Sequence, residues 1–245
     1  MEEQKEWFAD WFDTHYYHIL YKNRDDQEAK IFIENLCNFL KLQPNSSLLD
    51  LACGKGRHSI TLNSLGHKVL GVDLSENSIE FAKNFERRGL HFEVHDMRKI
   101  IPGLSFDAIF NLFTSFGYFD STFDNKRVIQ AVGNMLYDKG LFIIDFMNAE
   151  KVITNLVSNE EKEVEGIHFS IERKVEGEHI YKKITLNDQG QIKKYIERVQ
   201  AIRLSDFEEL LKPEFKIIHT FGDFSLGNFD PNESDRLIII AEKNA

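Results

Sequence analysis

Two short segments of the chain each combine buried-type apolar residues with a carboxylate at their end. The first, residues 48–51 (Leu-Leu-Asp-Leu), contains Asp50 and runs into a turn of small residues at 52–56. The second, residues 70–73, ends at Asp73. A carboxylate can accept hydrogen bonds from both hydroxyls of a ribose, and glycine lets a ligand approach the backbone closely. The pattern therefore predicts a site for a nucleoside-containing ligand at two strand ends.

A third carboxylate, Asp96, follows the predicted third strand in the segment His-Asp-Met-Arg. At a neighbouring strand end, Asp96 could accept a hydrogen bond from an adenine amino group while Met97 packs on the ring. Aspartate is also common in turns, so this residue alone is a weak signal. Asp73 could instead cap the next helix, but Ser75 is placed to fill that role. We therefore expect Asp73 to bind the ligand.

The segment after the predicted fourth strand is a further candidate. Residues 111–113 should lie at the same sheet edge. The loop that follows, residues 114–119, reads Thr-Ser-Phe-Gly-Tyr-Phe and is too aromatic for an ordinary exposed loop. We expect Phe116 to pack in the core, and Ser115 and Tyr118 to face a substrate.

Alternating strand and helix patterns must position these residues. Apolar runs predict strands at 47–51, 68–72, 90–94, 106–111 and 141–146, with helices at 57–65, 75–88 and 123–137 between them. A helix near Ser205 and strands at 215–220 and 236–242 follow. This order predicts an α/β fold, doubly wound around a mostly parallel, Rossmann-like seven-stranded sheet that an antiparallel pair closes.

Two regions lie outside this alternation. Residues 5 to 42 are helical in pattern and rich in aromatics, which suggests a lid. Three segments of β composition, 168–175, 179–186 and 193–202, predict an antiparallel β insert after strand five. We expect an N-terminal helical lid at 1–43, a cofactor-binding α/β domain at 44–158 and 204–245, and an insert at 159–203 that acts as a substrate flap.

Composition excludes several classes of protein. A net charge of −10 argues against nucleic acid as a partner, because binding to the phosphate backbone needs clustered Lys and Arg. Cys37 and Cys53 are far apart and in no metal-ligand spacing, so neither a disulfide framework nor a structural zinc site is expected. The N-terminus lacks a signal-peptide pattern, and no apolar run reaches membrane-spanning length. We expect a cytoplasmic protein, monomeric or homodimeric, without a metal.

These residues resemble the pattern of the class I S-adenosylmethionine (SAM)-dependent methyltransferases, bacterial small-molecule members in particular. In that family an acid and alternate glycines follow strand one, and here the positions are Asp50, Ala52, Gly54 and Gly56, with alanine replacing the first glycine. The resemblance extends over nearly the whole chain. Outside the core it covers the loop at 114–119, the β insert, and the N-terminal Trp11-Phe12, Tyr17, Tyr21 and Arg24-Asp25.

The resemblance implies SAM as cofactor and S-adenosylhomocysteine (SAH) as product. It assigns the ribose to Asp73, the adenine side to Asp96 and the methionine part to residues 111–113. The expected cofactor-binding residues are Tyr17, Tyr21, Asp50, Ala52, Cys53, Gly54, Gly56, Arg57, Asp73, Leu74, Asp96, Met97, Asn111, Leu112 and Phe113. Ser115, Tyr118 and Arg236 are expected on the substrate side.

The function expected is transfer of the sulfonium methyl, by in-line displacement, to a nitrogen or oxygen of a small-molecule acceptor. His15, His18 and His58 are candidate bases, but a lone histidine is more often structural, so no catalytic residue is assigned. One alternative is an NAD(P)-dependent oxidoreductase, since residues 54–59 approximate Gly-x-Gly-x-x-Gly. Ser59 in place of the third glycine weighs against it. A second alternative is a non-catalytic SAM-binding or interaction module.

Overall fold

The main sheet has seven strands, in a computed structural model that describes residues 11–21, 26–119 and 121–244. The strands are β1 (Ser47–Leu51), β2 (Lys68–Asp73), β3 (Leu90–Val94), β4 (Phe106–Asn111), β5 (Leu136–Met147), β10 (Phe215–Phe221) and β11 (Arg236–Lys243). Their order across the sheet is β10-β11-β5-β4-β1-β2-β3. Strands β1 to β5 pair in parallel, and β11 pairs antiparallel with both β5 and β10. The predicted fold class is confirmed.

Helices cover both faces of this sheet. They are α2 (Asp26–Leu40), α3 (Arg57–Ser64), α4 (Glu76–Lys83), α5 (Thr122–Met135), α6 (Ala149–Thr154) and α7 (Leu204–Leu211). One face packs against α5 and α7 through residues such as Val128 and Phe207. The other packs against α2, α3 and α4 through residues such as Ile33, Leu62 and Ile79. Strands buried on both faces explain the continuous apolar runs in the sequence.

The insert is a separate antiparallel sheet of four strands rather than three. They are β6 (Asn159–Val164), β7 (Ile167–Glu176), β8 (His179–Asp188) and β9 (Gln191–Gln200), paired in that order. The sequence pattern did not predict β6, because four of its six residues are charged and none of the six is buried. It forms through backbone pairing with β7 across a turn at Glu165 and Gly166.

The N-terminal region divides into two parts with different partners. Helix α1 (His15–Leu20), with Trp11 before it, packs on the insert sheet through Tyr16, Leu20, Phe169 and other residues. Helix α2 packs on the main sheet instead, where Phe32, Ile33 and Leu36 are buried. The predicted helix over 5–42 is thus interrupted. Trp7, Phe8, Arg24 and Asp25 lie outside the described residues.

Two predicted boundaries were wrong. Helix α4 ends at Lys83 rather than near residue 88, because Asn84 caps it. Helix α5 ends at Met135, and the chain enters β5 directly at Leu136 instead of continuing to residue 137. Within the described residues, no helix has both the length and the hydropathy required to cross a bilayer.

Candidate functional site

A cavity of about 880 Å³ lies at the carboxyl edge of the parallel strands, between the main sheet, α1 and the insert. Fifteen of the eighteen predicted site residues line it. They are Tyr17, Tyr21, Ala52, Cys53, Gly54, Arg57, Asp73, Leu74, Asp96, Met97, Leu112, Phe113, Ser115, Tyr118 and Arg236. The parallel register places strand ends that are far apart in sequence at the same edge of the sheet, since Leu51 pairs with Val72 and Asp73 with Val94.

Asp73 is fixed at the cavity wall by two backbone amides. The N–H of Gly54 donates to its Oδ2 and the N–H of Ser75 donates to its Oδ1, each at 2.8 Å. Burial raises the pKa of Asp73, and the amide hydrogen bonds oppose that shift. Each carboxylate oxygen keeps a further acceptor site. Asp73 can therefore accept from two hydroxyls, and Ser75 caps α4, as expected, by accepting from Ser78 N–H.

The glycine turn contributes two different properties to the site. A side chain at Gly54 would meet no atom within 4 Å, so this residue leaves the backbone open to the cavity. A side chain at Gly56 would lie 2.6 Å from the ring of Phe92, so this glycine permits close packing of α3 on the sheet and does not line the cavity. Ala52, at the position of the family's first glycine, has φ 64° and carries the strain of a left-handed conformation.

Asp50 and Asn111 were predicted to contact the cofactor, but the structure buries both behind the cavity wall. Asp50 is 1% exposed, and it accepts a hydrogen bond of 2.5 Å from the Ser59 hydroxyl. Burial raises the pKa of Asp50 to about 6. The Nδ2 of Asn111 donates to the carbonyl of Leu51 at 2.9 Å. Asp50 therefore joins β1 to α3, and Asn111 joins the end of β4 to the end of β1.

Asp96 faces the cavity but is already paired. Its carboxylate accepts from Nε and Nη2 of Arg98, with the shortest contact at 2.9 Å. Burial acts to raise the pKa of Asp96, and the hydrogen bonds and charge of Arg98 outweigh it and hold the pKa below its usual value. Arg98 in turn lies over the ring of Phe119. Asp96 thus stays ionised as an acceptor at one end of the cavity, beside Met97.

The opposite end of the cavity is closed by α1 and the insert through Glu197, which the sequence analysis missed. The Trp11 Nε1 donates to Glu197 Oε1 at 2.6 Å, and the Tyr21 hydroxyl donates to the same carboxylate at 2.8 Å. Lys182 lies directly across from Glu197 in the β8–β9 register and also contacts Tyr21. Opposite charges at paired positions of two predicted strands were the available signal.

A second connection ties the same N-terminal segment to the cofactor side. Asp13 accepts from the hydroxyl of Ser75 at 2.5 Å and from Nδ2 of Asn77 at 2.6 Å. Both partners lie at the start of α4, immediately after Asp73. The segment that contains α1 therefore bridges the insert and the edge of the main sheet.

Asp145 and Arg236 form an ion pair at the cavity wall. Arg236 Nε donates to Asp145 Oδ1 at 2.7 Å, and its Nη2 donates to the Thr114 hydroxyl at 3.0 Å. Asp145 is 1% exposed and also accepts from Phe113 N–H at 2.8 Å. Arg236 is a predicted site residue and Asp145 is not, although an acid within the apolar run Leu-Phe-Ile-Ile-Asp-Phe-Met is a strong signal of a buried polar role.

The three candidate histidines lie in different surroundings. Burial and the nearby charge of Arg57 lower the pKa of His58 to about 3, so its imidazole stays neutral in the folded protein. His58 is almost completely enclosed, which fits the structural role suggested for it. His18 lines the cavity beside Tyr17, and His15 stacks on Tyr16.

The residues present fit SAM. Asp73 offers two acceptor sites for a ribose, Leu74 and Met97 offer apolar surface for an adenine, and Gly54 leaves room for the chain that carries the sulfonium. A dinucleotide fits less well, because Ser59 occupies the third glycine position and uses its hydroxyl to bind the buried Asp50.

Comparison with known proteins gives the same result. The family model described as a methyltransferase domain matches residues 42–200. YqeM of Bacillus subtilis strain 168, whose own assignment as a methyltransferase is provisional, is 27% identical over 216 residues, 83% of this chain and 86% of that protein. The glycine/sarcosine N-methyltransferase of Halorhodospira halochloris is 26% identical over 255 residues, 99% of this chain and 89% of that protein.

Among solved structures, a SAM-dependent methyltransferase from Clostridium acetobutylicum ATCC 824 superimposes with a TM-score of 0.78 at 22% identity, covering 97% of this chain and 98% of that one. At this identity the superposition establishes the shared fold. Three observations lead to the same assignment: the sheet order, the cavity at the carboxyl edge of the sheet, and the family match over more than half of the chain. The chain belongs to the methyltransferase-domain family and is a SAM-dependent methyltransferase of the class I fold.

Proposed function

We propose that this chain transfers the methyl group of SAM to a nitrogen or oxygen of a small-molecule acceptor. The observation that carries the proposal is the division of one cavity into two chemically different ends. One end presents Asp73, Gly54, Leu74 and Met97, as a nucleoside requires. The other is enclosed by the aromatic side chains of α1, the insert and Arg236. Such an enclosure suits a small acceptor better than a polymer.

The proposed cofactor residues have separate tasks. Asp73 holds the ribose hydroxyls, Leu74 and Met97 pack on the adenine, and Asp96 accepts from its amino group. Gly54, Leu112 and Phe113 border the methionine part, and Arg57 lies beside them at the start of α3. SAM supplies an activated methyl on a sulfonium, so the chain mainly has to orient the acceptor and exclude water, and orientation alone can contribute roughly 7–11 kcal/mol.

The segment 11–21 and the insert at 159–203 are proposed to act as a lid and a substrate flap. In support, the two segments contact each other at Glu197, which lines the cavity, and at Tyr16, whose hydroxyl donates to Asp188. Nitrogen is favoured as the methylated atom, since the Halorhodospira relative is named as an N-methyltransferase. A monomer or homodimer in the cytoplasm is the proposed setting.

The test combines cofactor binding with methyl transfer. We expect SAM and SAH, but not NAD, to raise the melting temperature of the purified protein. With methyl-labelled SAM, we expect label to pass to a compound in a panel of small amines and hydroxylated metabolites. Stabilisation by NAD alone would reverse the assignment. SAH binding with no transfer to any acceptor would support the non-catalytic module instead.

A further inference from the structure

The cavity carries more positive than negative charge, although the chain as a whole has a net charge of −10. Among the described residues, its charged lining side chains are Lys55, Arg57, Arg173, Lys182 and Arg236 against Asp73, Asp96 and Glu197. Several of these groups are already in ion pairs: Asp96 with Arg98, Glu197 with Lys182, Arg173 with Glu160, and Arg236 with Asp145. A local excess of cations in an acidic protein favours ligands that carry negative charge.

Some aromatic rings of the cavity already lie against the protein's own cations. Arg57 lies 4.7 Å and Arg236 5.7 Å from the centroid of the Phe113 ring. Lys182 lies 4.4 Å from the centroid of Tyr21. A cationic ligand would have to compete with these groups for the ring faces.

Arg236 is held so that part of its guanidinium remains available. Asp145 takes its Nε and the Thr114 hydroxyl takes one N–H of Nη2. Guanidinium has five N–H donors, so the two N–H groups of Nη1 and one of Nη2 remain, and these form an edge suited to two oxygens of one anion. Its side chain is 18% exposed, on the cavity wall.

The backbone beside Arg236 is strained, which marks this wall independently of the charges. Phe113 and Thr114 have φ values of 64° and 58°, the left-handed region that a β-branched residue such as threonine rarely adopts. Asp145 holds both residues: its side chain accepts from Phe113 N–H, and its carbonyl accepts from Thr114 N–H at 2.9 Å. Strain of this kind persists where surrounding structure fixes it, and it clusters at ligand sites.

We propose that Arg236 binds an anionic group of the methyl acceptor, a carboxylate or a phosphate, and that Asp145 positions it. The inference rests on the proposed function, because it places the acceptor in the same cavity. Asp145 fixes the guanidinium and the strained turn in one arrangement, so the free edge of Arg236 points to a constant place beside Phe113. The acceptor is then an amine or alcohol that also carries an acid group.

The test uses the full-length protein saturated with SAH and titrated with sodium acetate or inorganic phosphate at constant ionic strength. We expect saturable stabilisation by at least one anion. Acetate alone would indicate a carboxylate acceptor, and phosphate would indicate a phosphorylated one. Arg236→Met should weaken this anion binding at least tenfold and leave the SAH dissociation constant within twofold. Arg88→Met, which removes an exposed arginine outside the cavity lining, should change neither.

Loss of Arg236 leaves the buried Asp145 unpaired and could unfold the protein. The double variant Asp145→Asn with Arg236→Met removes both charges and keeps an acceptor for Phe113 N–H, so it should fold and also lose anion binding. No saturable anion effect, or the same effect in both variants, would overturn the inference. So would weaker SAH binding in either variant, which would place Arg236 on the cofactor. Failure of the wild type to bind SAH would instead contradict the proposed function.

Discussion

The two ends of the cavity are built in different ways. At the cofactor end, the turn at 52–56 follows β1 directly and Asp73 ends β2, and the contact that joins them spans 19 residues of sequence. At the acceptor end, the contacts join distant segments, as Trp11 and Glu197 or Asp145 and Arg236 do.

This difference separates what the fold guarantees from what the particular chain adds. Any parallel sheet with these strand ends places a carboxylate and a glycine turn side by side. The acceptor end exists only when α1, the insert and the last strand come together. We therefore expect substitutions at the cofactor end to weaken cofactor binding. Substitutions at the acceptor end should instead affect the local stability of α1 and the binding of the acceptor.

The largest effect is expected from Asp73→Ala. Two charge-assisted hydrogen bonds to a ribose would be lost, each worth roughly 1.5–3 kcal/mol, so SAH should bind about a hundredfold or more weakly by calorimetry. Asp107→Ala is the matched control, because Asp107 also accepts from a backbone amide, that of Ser47, but does not line the cavity. It should leave SAH affinity unchanged. Equal affinity in the wild type and Asp73→Ala would remove the distinction between the two ends.

An intermediate effect is expected from Glu197→Ala at the acceptor end. Without this carboxylate, Trp11 and Tyr21 lose their shared acceptor. The free energy needed to detach α1 from the insert should therefore fall by about 1–3 kcal/mol. Hydrogen exchange at the amides of α1 should become roughly tenfold or more faster, with SAH affinity changed far less than in Asp73→Ala.

The control for that variant is Glu176→Ala, an exposed acid of the insert that pairs only at the surface with Lys174. It should leave exchange in α1 unaltered. Unchanged exchange in Glu197→Ala would show that α1 is held by its apolar contacts alone.

The smallest effect concerns two buried groups beneath the cofactor end. The raised pKa of Asp50 keeps it protonated in the folded state between about pH 4 and 6, where the unfolded state is ionised, so it favours folding more as pH falls through that window. The lowered pKa of His58 has the opposite sign, because only the unfolded state takes up a proton below about pH 6.5. The two contributions oppose each other.

Urea unfolding at pH 6.5 and pH 5 separates them. When the pH falls from 6.5 to 5, the free energy of unfolding of His58→Gln should rise by about 2 kcal/mol relative to the wild type. That of Asp50→Asn should fall by about 1 kcal/mol relative to the wild type. Differences between variant and wild type cancel the other titrating groups. Parallel profiles for all three proteins would mean that neither residue changes its protonation on unfolding.

Most of the cofactor end could be predicted from the sequence because its signals are local. Apolar runs that end in Asp50, Asp73 and Asp96 gave the strands, and alternation of strand and helix gave their parallel order. The direction in which each side chain points was harder to predict from the sequence. Asp50 looked like a ligand because it ends a strand, and only the packing of α3 shows that Ser59 takes its carboxylate.

The acceptor end could not be assembled from sequence patterns. Trp11 and Glu197 are 186 residues apart, and Asp145 and Arg236 are 91 apart, so no periodicity connects them. Strand β6 was missed for a similar reason, since its charged residues form a strand only when β7 offers an edge. A polar residue inside an apolar run, such as Asp145, was a sequence signal that could have predicted part of the acceptor end.

The left-handed conformations of Ala52, Phe113 and Thr114 bear on how this enzyme could be engineered. Glycine adopts this conformation without strain, so Ala52 and Thr114 are targets for raising heat resistance, whereas glycine at Phe113 would remove a ring that packs on the core. All three line the cavity, on the loops that follow β1 and β4, and glycine there would also make these loops more flexible. A variant made more heat-resistant at these positions would hold its ligands in a less fixed orientation. Stabilising substitutions are therefore better placed on the outer helices.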